Sequence, residues 1–209
     1  EQFWAGNFGD DYIDRNKGDA LFYQKTATWA KILKCVNSIE SVIELGCNIG
    51  LNLQALKAMQ PQLQLTGYEI NQKAAAIAES TGVATISQGT IIDPINDGPF
   101  DLAFTSGVLI HINPDHLNAV YQNLYTLSRR YIIVAEYYNP TPVSVRYRGH
   151  EERLFKRDFA GEMMDKYGLQ LVDYGFIYKR DNWAPQDDFT YFVLEKYASL
   201  CMSMEDAAT

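Results

Sequence analysis

One stretch constrains the fold more than any other: Ser41-Val42-Ile43-Glu44-Leu45-Gly46-Cys47-Asn48-Ile49-Gly50-Leu51-Asn52-Leu53. Val42, Ile43 and Leu45 form the unbroken apolar run of a strand covered on both faces. Leu51, Leu53 and Leu56, with Ala55 and Ala58, then recur at helical spacing. Between the two runs, Gly46 and Gly50 let the backbone come close to a ligand, and the helix behind them begins with unpaired N–H groups. The pattern predicts a strand, a tight turn and a helix, which together form the floor of a nucleotide or cofactor site.

The alternation of strand and helix continues along the chain. A short strand, Leu63 to Ile70, comes after the helix and ends on Glu69. That carboxylate sits about 20 residues beyond the glycine turn, the offset at which a βαβ unit presents an acid to ribose hydroxyls. Next come an alanine-rich helix at 72–80, a third strand at 84–87 and a fourth at 100–105. Asp115 is expected to cap a helix running to about Leu127, and a fifth strand lies at 131–137. After a helix at 159–167, strands near 169–178 and 189–196 are spaced to pair as a hairpin. The loops after the third and fourth strands, Gly89 to Pro94 and Ser106 to Pro114, fall where ligands bind in a doubly wound sheet. Thr90 and Ile91 are placed to touch an adenine ring, and Ser106 and Gly107 to line the second site. His111 is either a titratable group facing the substrate or a structural histidine.

Two segments stand outside the alternation. The opening, Phe3 to Asn16, is dense in aromatics and glycine and reads as a lid or as a plug over a hydrophobic patch. Phe22, Trp29, Ile32, Leu33 and Val36 predict one amphipathic helix from Asp19 to about Val36, so that 1–35 forms a lid and helix segment. The other, 138–160, carries Arg146, Arg148, Arg153, Lys156 and Arg157 among aromatics. It reads either as a solvated face with internal ion pairs or as an insertion whose arginine forks grip a carboxylate or phosphate.

Composition narrows the field. A single domain of 209 residues with 47% hydrophobic and 21% charged residues has enough material for a full core. The net charge of −8 argues against broad nucleic-acid binding. No apolar run reaches membrane-spanning length, so no membrane role is expected. Cys35, Cys47 and Cys201 form no CxxC pair, and without a visible signal peptide they point to reduced thiols in the cytoplasm. His111, His116 and His150 are scattered, so no metal is expected. The Walker A lysine and the Gly-x-Ser-x-Gly elbow are both missing, which disfavours phosphoryl transfer and serine hydrolysis.

With Glu44 before the turn, Glu69 ending the second strand and a closing hairpin, the chain resembles the class I S-adenosylmethionine-dependent methyltransferases along nearly its whole length. That family usually has a glycine where this chain has Asn48. The resemblance implies an α/β, Rossmann-like, seven-stranded, mostly parallel sheet with a C-terminal antiparallel hairpin and helices on both faces. Phe3 to Asn16 and Tyr147 to Gly161, with Tyr174-Gly175-Phe176 and Asp187-Asp188, are similar to the pseudaminic acid biosynthesis-associated methylases, found with genes for nine-carbon acidic sugars.

By that resemblance, Glu69 holds the ribose hydroxyls, and Glu44 with the Gly46–Gly50 backbone faces the methionine part. Arg15 pairs with its carboxylate, and Cys47, Asn48, Asn52, Leu53, Ile70, Ser106 and Gly107 complete the S-adenosylmethionine site, from which S-adenosylhomocysteine leaves as product. His111 is the first candidate base, with Tyr12 and Tyr138 as alternatives. Tyr137, Arg146, Arg148, Arg153 and Arg157 are expected to bind a small acidic substrate, an acidic sugar or its nucleotide-activated form, methylated at N or O. Other readings are a methyltransferase for another metabolite or a protein side chain, and a non-catalytic S-adenosylmethionine-binding module. A nicotinamide oxidoreductase would ordinarily carry Gly-x-Gly-x-x-Gly instead.

Overall fold

The computed structural model describes residues 2–15, 18–147 and 149–197. Among the described residues, one sheet is built from β1 (Ser41–Leu45), β2 (Gln64–Glu69), β3 (Thr85–Gln88), β4 (Phe100–Ser106), β5 (Ser128–Glu136), β8 (Gln170–Ile177) and β9 (Phe189–Glu195). Its seven strands lie in the order β3-β2-β1-β4-β5-β9-β8. β1 to β5 pair in parallel, whereas β9 runs antiparallel between β5 and the edge strand β8. This is the mostly parallel sheet with a C-terminal hairpin that the sequence predicts.

Strand geometry explains the two cores. Neighbouring residues of a strand point to opposite faces, so Val42 and Ile43, both completely buried, enter different clusters. On one face Val42, Leu102, Phe104 and Ile133 pack under α3 (Asp19–Ile32) and α4 (Leu51–Met59), with Trp29 and Leu53 between them. On the other, Ile43, Leu45, Ala103 and Ile132 pack against α6 (Pro114–Leu127) and α7 (Phe159–Tyr167). Between β2 and β3, α5 (Gln72–Ser80) is capped by Asn71, whose side chain accepts from the Ala74 N–H.

Three details differ from the sequence expectation. The cap of α6 is Asn113, which accepts from the Asp115 N–H, so Asp115 itself lies in the first turn beside the positive end of the helix dipole. The helix expected from Asp19 to about Val36 is α-helical only to Ile32 and tightens to a 3-10 turn over Leu33–Cys35. Within 138–160, β6 (Val143–Tyr147) and β7 (His150–Lys156) pair as a separate two-stranded sheet. Residues 143–146 of β6 are exposed, so no apolar alternation marks this hairpin.

The opening segment folds as α1 (Gln2–Ala5) and α2 (Asn7–Arg15). Ile13 is buried against Ile49 and Ala74, which seats α2 on the glycine turn and on α5. The Asn71 side chain donates to the Trp4 carbonyl at 3.1 Å and to Asp10 at 3.0 Å, and Lys73 pairs with Asp10. The opening segment is therefore fastened to the start of α5.

Gly67 is where β2 meets the turn: a Cβ there would lie 2.7 Å from Cys47 Sγ and 2.9 Å from Leu53 Cδ1. Gly67→Ala is expected to cost about 1–3 kcal/mol through overpacking, measured as a lowered urea midpoint at unchanged slope.

Candidate active site

The chain runs outward in both directions from β1 and β4, so a crevice opens at their carboxyl ends. On the β1 side, the Gly46 and Cys47 amides donate to the Tyr68 carbonyl at 2.8 and 2.9 Å, which folds the turn back onto β2. Gly46, Asn48 and Gly50 all take left-handed φ, at 82°, 49° and 77°. Asn48 thus holds the conformation that glycine would supply, because its short polar side chain tolerates this region. Gly46 is also a matter of space, since a Cβ would come within 2.7 Å of Val108 Cγ2.

Two carboxylates flank the turn. Glu69 Oε2 accepts the Asn48 N–H at 2.7 Å, and Oε1 accepts the Asn71 N–H at 2.8 Å. Burial raises its pKa, and the backbone amides of Asn71 and Asn48 oppose that. Glu44 is 1% exposed and takes a 2.6 Å hydrogen bond from Asn52, whose oxygen in turn accepts the Trp29 indole N–H at 3.0 Å. Burial pushes Glu44 up to about 8, and its second oxygen has no protein partner. Lys25 of α3, drawn down by burial, is held up in part by the charges of Glu44 and Asp187. Leu53 and Cys47 are buried beneath the turn, and burial keeps the Cys47 thiol protonated.

Around the crevice, Ile70 follows Glu69 and is half-buried. Thr90 accepts the Ile92 N–H at 3.1 Å, and Asn123 of α6 donates to the carbonyls of Ile91 and Asp93, both at 2.8 Å. These contacts hold the 90–93 loop, with Ile91 buried toward the α6 core.

Beside the β4 end lies a cavity of about 660 Å³. Ser106, Gly107 and His111 form one wall, Tyr12 of the lid another, and Tyr137 and Tyr147 a third. Lys25 and Gln24 of α3 face Lys179, Gln186 and Asp187 from the β8–β9 connection. The His111 ring lies between Trp4 and Tyr147, with centroids 4.5 and 5.0 Å away. Tyr137 donates its hydroxyl to Asp187 at 3.1 Å; burial, then the charge of Asp187, raises its pKa.

Several expected site residues stand elsewhere. Tyr138 is 43% exposed and packs on Phe192, away from the cavity. Arg157 turns to Glu162, which it meets at 2.6 Å and which also accepts from Tyr121. Arg157 is thus tied to the first turn of α7, and the Tyr121 bond to Glu162 links α7 to α6. Arg146 is exposed and donates to the Gly149 carbonyl at 3.3 Å. Arg148 lies outside the described residues, as do the side chains of Arg15 and Arg153. Among the described residues, the cations that line the cavity are Lys25 and Lys179; Glu136, an acid that sequence reasoning passed over, lines it too. Glu136 had a signal: like Glu44 and Glu69, it is an acid in a buried apolar strand, where a charge requires partners.

Residues 43–130 match a family model described as a methyltransferase domain. Among solved structures, the methyltransferase domain of bacterial CtHen1 is 21% identical with a TM-score of 0.63, covering 84% of this chain and 100% of that one. Magnesium protoporphyrin IX methyltransferase from Synechocystis PCC 6803, solved with bound S-adenosylhomocysteine, is 13% identical with a TM-score of 0.64, covering 93% and 96%. The O-methyltransferase of a trans-AT polyketide multienzyme of Brevibacillus brevis, also with S-adenosylhomocysteine, is 13% identical with a TM-score of 0.64, covering 80% and 71%. The fold is that of S-adenosylmethionine-dependent methyltransferases. A search of curated proteins finds no match. The residues present fit the S-adenosylhomocysteine that two of these structures hold. Glu69 has lone pairs left for hydroxyls beyond the two amides it accepts, and Glu44 keeps a buried oxygen without a protein partner.

Buried carboxyls set a pH dependence. Burial raises Glu44 to about 8 and Glu136 to about 7 from an ordinary 4.5. Between about pH 5 and 7 the folded chain then binds protons that the unfolded chain has released, so stability falls as pH rises through that window. The urea midpoint is expected to be higher at the acid end, and Glu44→Gln or Glu136→Gln to flatten the difference.

Proposed function

We propose that the chain methylates N or O of a small polyhydroxylated acid, a nonulosonic-type acidic sugar or its nucleotide-activated form, as in the pseudaminic acid-associated group. The observation that carries this reading is the mixed lining of the cavity beside the glycine turn. Lys25 and Lys179 suit a carboxylate or phosphate, whereas Asp187, Gln24 and Gln186 offer oxygens that accept from hydroxyls or an amine. The volume, about 660 Å³, falls within the usual range for small-molecule sites.

The chemistry follows from placement. S-adenosylmethionine supplies an electrophilic methyl group on a sulfonium, displaced in line by the acceptor's lone pair. Glu69 binds the ribose hydroxyls, while Glu44 and the Gly46–Gly50 backbone orient the methionine part. The lid, stapled by Asn71, Asp10 and Ile13, excludes water above the turn. Arg15 is read as the partner of the cofactor carboxylate. Tyr12 and His111 face the acceptor. A hydroxyl acceptor must lose its proton as the O–C bond forms, and the His111 imidazole is the group read as taking it. A neutral amine attacks first and sheds its proton afterwards, and His111 then only shapes the cavity. Of the arginine cluster, the backbone of β7 approaches the 109–111 turn, and Arg148 and Arg153 are read as reaching a phosphate or nucleotide portion at the cavity mouth.

Calorimetry with S-adenosylmethionine and S-adenosylhomocysteine tests the cofactor, and a gain of one methyl group by mass across a panel of acidic sugars and nucleotide sugars tests the acceptor. Glu69→Ala is expected to weaken cofactor binding by about 10- to 100-fold, as a charge-assisted contact of about 1.5–3 kcal/mol implies. Lys25→Gln is expected to raise KM for an acidic acceptor by about 10-fold and to leave KM for an uncharged analogue nearly unchanged.

A further inference from the structure

Glu136, the last residue of β5, is 2% exposed and lies in the wall of the acceptor cavity. Its Oε1 accepts the N–H groups of Val108 at 3.0 Å and Leu109 at 3.1 Å, and Oε2 faces the Ile110 N–H at 3.5 Å. Three successive amides of the turn after β4 thus converge on one carboxylate. From that turn two side chains leave in different directions. Val108 sits on Gly46, where even a methyl group would not fit beside it. His111 faces the cavity and carries the Trp4 ring of the lid.

We infer that Glu136 is a positioning residue for methyl transfer: its ionised carboxylate holds the 108–111 turn, and through it sets Val108 against the cofactor turn and His111 against the acceptor. The inference rests on the methyltransferase reading. Its physical basis is the asymmetry between the two forms of the acid. As a carboxylate, Glu136 accepts from the turn's amides with a full charge behind each bond; once protonated, it accepts from them more weakly, because the charge is gone and one lone pair carries the proton. Burial raises the pKa to about 7, and the Val108 and Leu109 amides oppose it, so the hold changes within the neutral range. The charged and titratable groups around it in the cavity are Lys25 of α3, Lys179 and Asp187 of the β8–β9 connection, and His111 of the turn itself. The phenols Tyr12, Tyr137 and Tyr147 complete that side, and Tyr121 of α6 feels the charge from the opposite side. A bound acidic acceptor would meet the same groups, which makes the turn responsive to cavity occupancy.

Glu136→Gln separates positioning from folding. The amide keeps an oxygen for Val108 and Leu109, yet turns an NH2 toward Ile110. Expected for this variant are a cooperative unfolding transition, S-adenosylmethionine affinity within about 3-fold of the parent, and kcat lower by at least about 10-fold at little change in KM. The parent should lose turnover as pH falls through about 7, and the variant should lose that limb of the profile. Hydrogen exchange provides a readout independent of turnover. Corrected for intrinsic rate, protection of the 108–110 amides in the parent should rise as pH passes about 7; in Glu136→Ala it should fall by about 10-fold or more. Parent-like kcat and pH profile in Glu136→Gln would overturn the inference. So would pH-independent protection of these amides in the parent, a measurement that needs no variant to fold. Failure of the parent to bind S-adenosylmethionine would instead sink the methyltransferase reading, while the exchange result would still report on the clamp.

Discussion

The site depends on a contact in which one partner has no side chain. Gly46, at the end of β1, lies directly under Val108, in the turn that leaves β4. The two central strands of the sheet end side by side, and their turns must share the space above them. With glycine in the left-handed region at 46, the first turn bends back onto β2 and the second lies across it. The glycine turn and the cavity wall are thus built against each other, so any displacement of one reaches the other.

Around that contact the chain buries three carboxylates, each handled differently. Glu69 is neutralised by two backbone amides of the turns it joins. Glu44 gives one oxygen to an Asn52–Trp29 relay and leaves the other without a protein partner. Glu136 gathers the amides of the turn after β4. A buried charge is tolerated only when hydrogen-bonded or paired, so these acids cost the empty fold stability near neutral pH. This is the pattern expected of groups held in readiness for a ligand.

Much of this was legible in the sequence. β1, β4 and β5 carry near-continuous apolar runs because both of their faces are covered, and that pattern does not depend on distant residues. Gly46 and Gly50 announce the left-handed turn, and Asn48 is the residue best able to stand in for a third glycine. The β6–β7 hairpin was not legible, because its paired residues are largely exposed and carry no alternation. Composition alone points the arginines of that region toward substrate, whereas Arg157 is held by Glu162 five positions on, across the start of α7. Tyr138 sits one residue from the cavity but faces the other side of the strand end, where it meets Phe192.

The sequence by itself determined the succession of strands and helices in the parallel half, the glycine turn and the acids beside it. Those features follow from local periodicity and from residue types within one βαβ unit. Only the tertiary structure decided which residues share the cavity. Lys25 comes from a helix before β1, His111 from the turn after β4, Glu136 from the end of β5 and Asp187 from the loop before β9. These positions are far apart along the chain, and they meet because the parallel strands all present their carboxyl ends to one crevice. Glycine spacing carried the first kind of information at short range, while the second exists only once the sheet has formed.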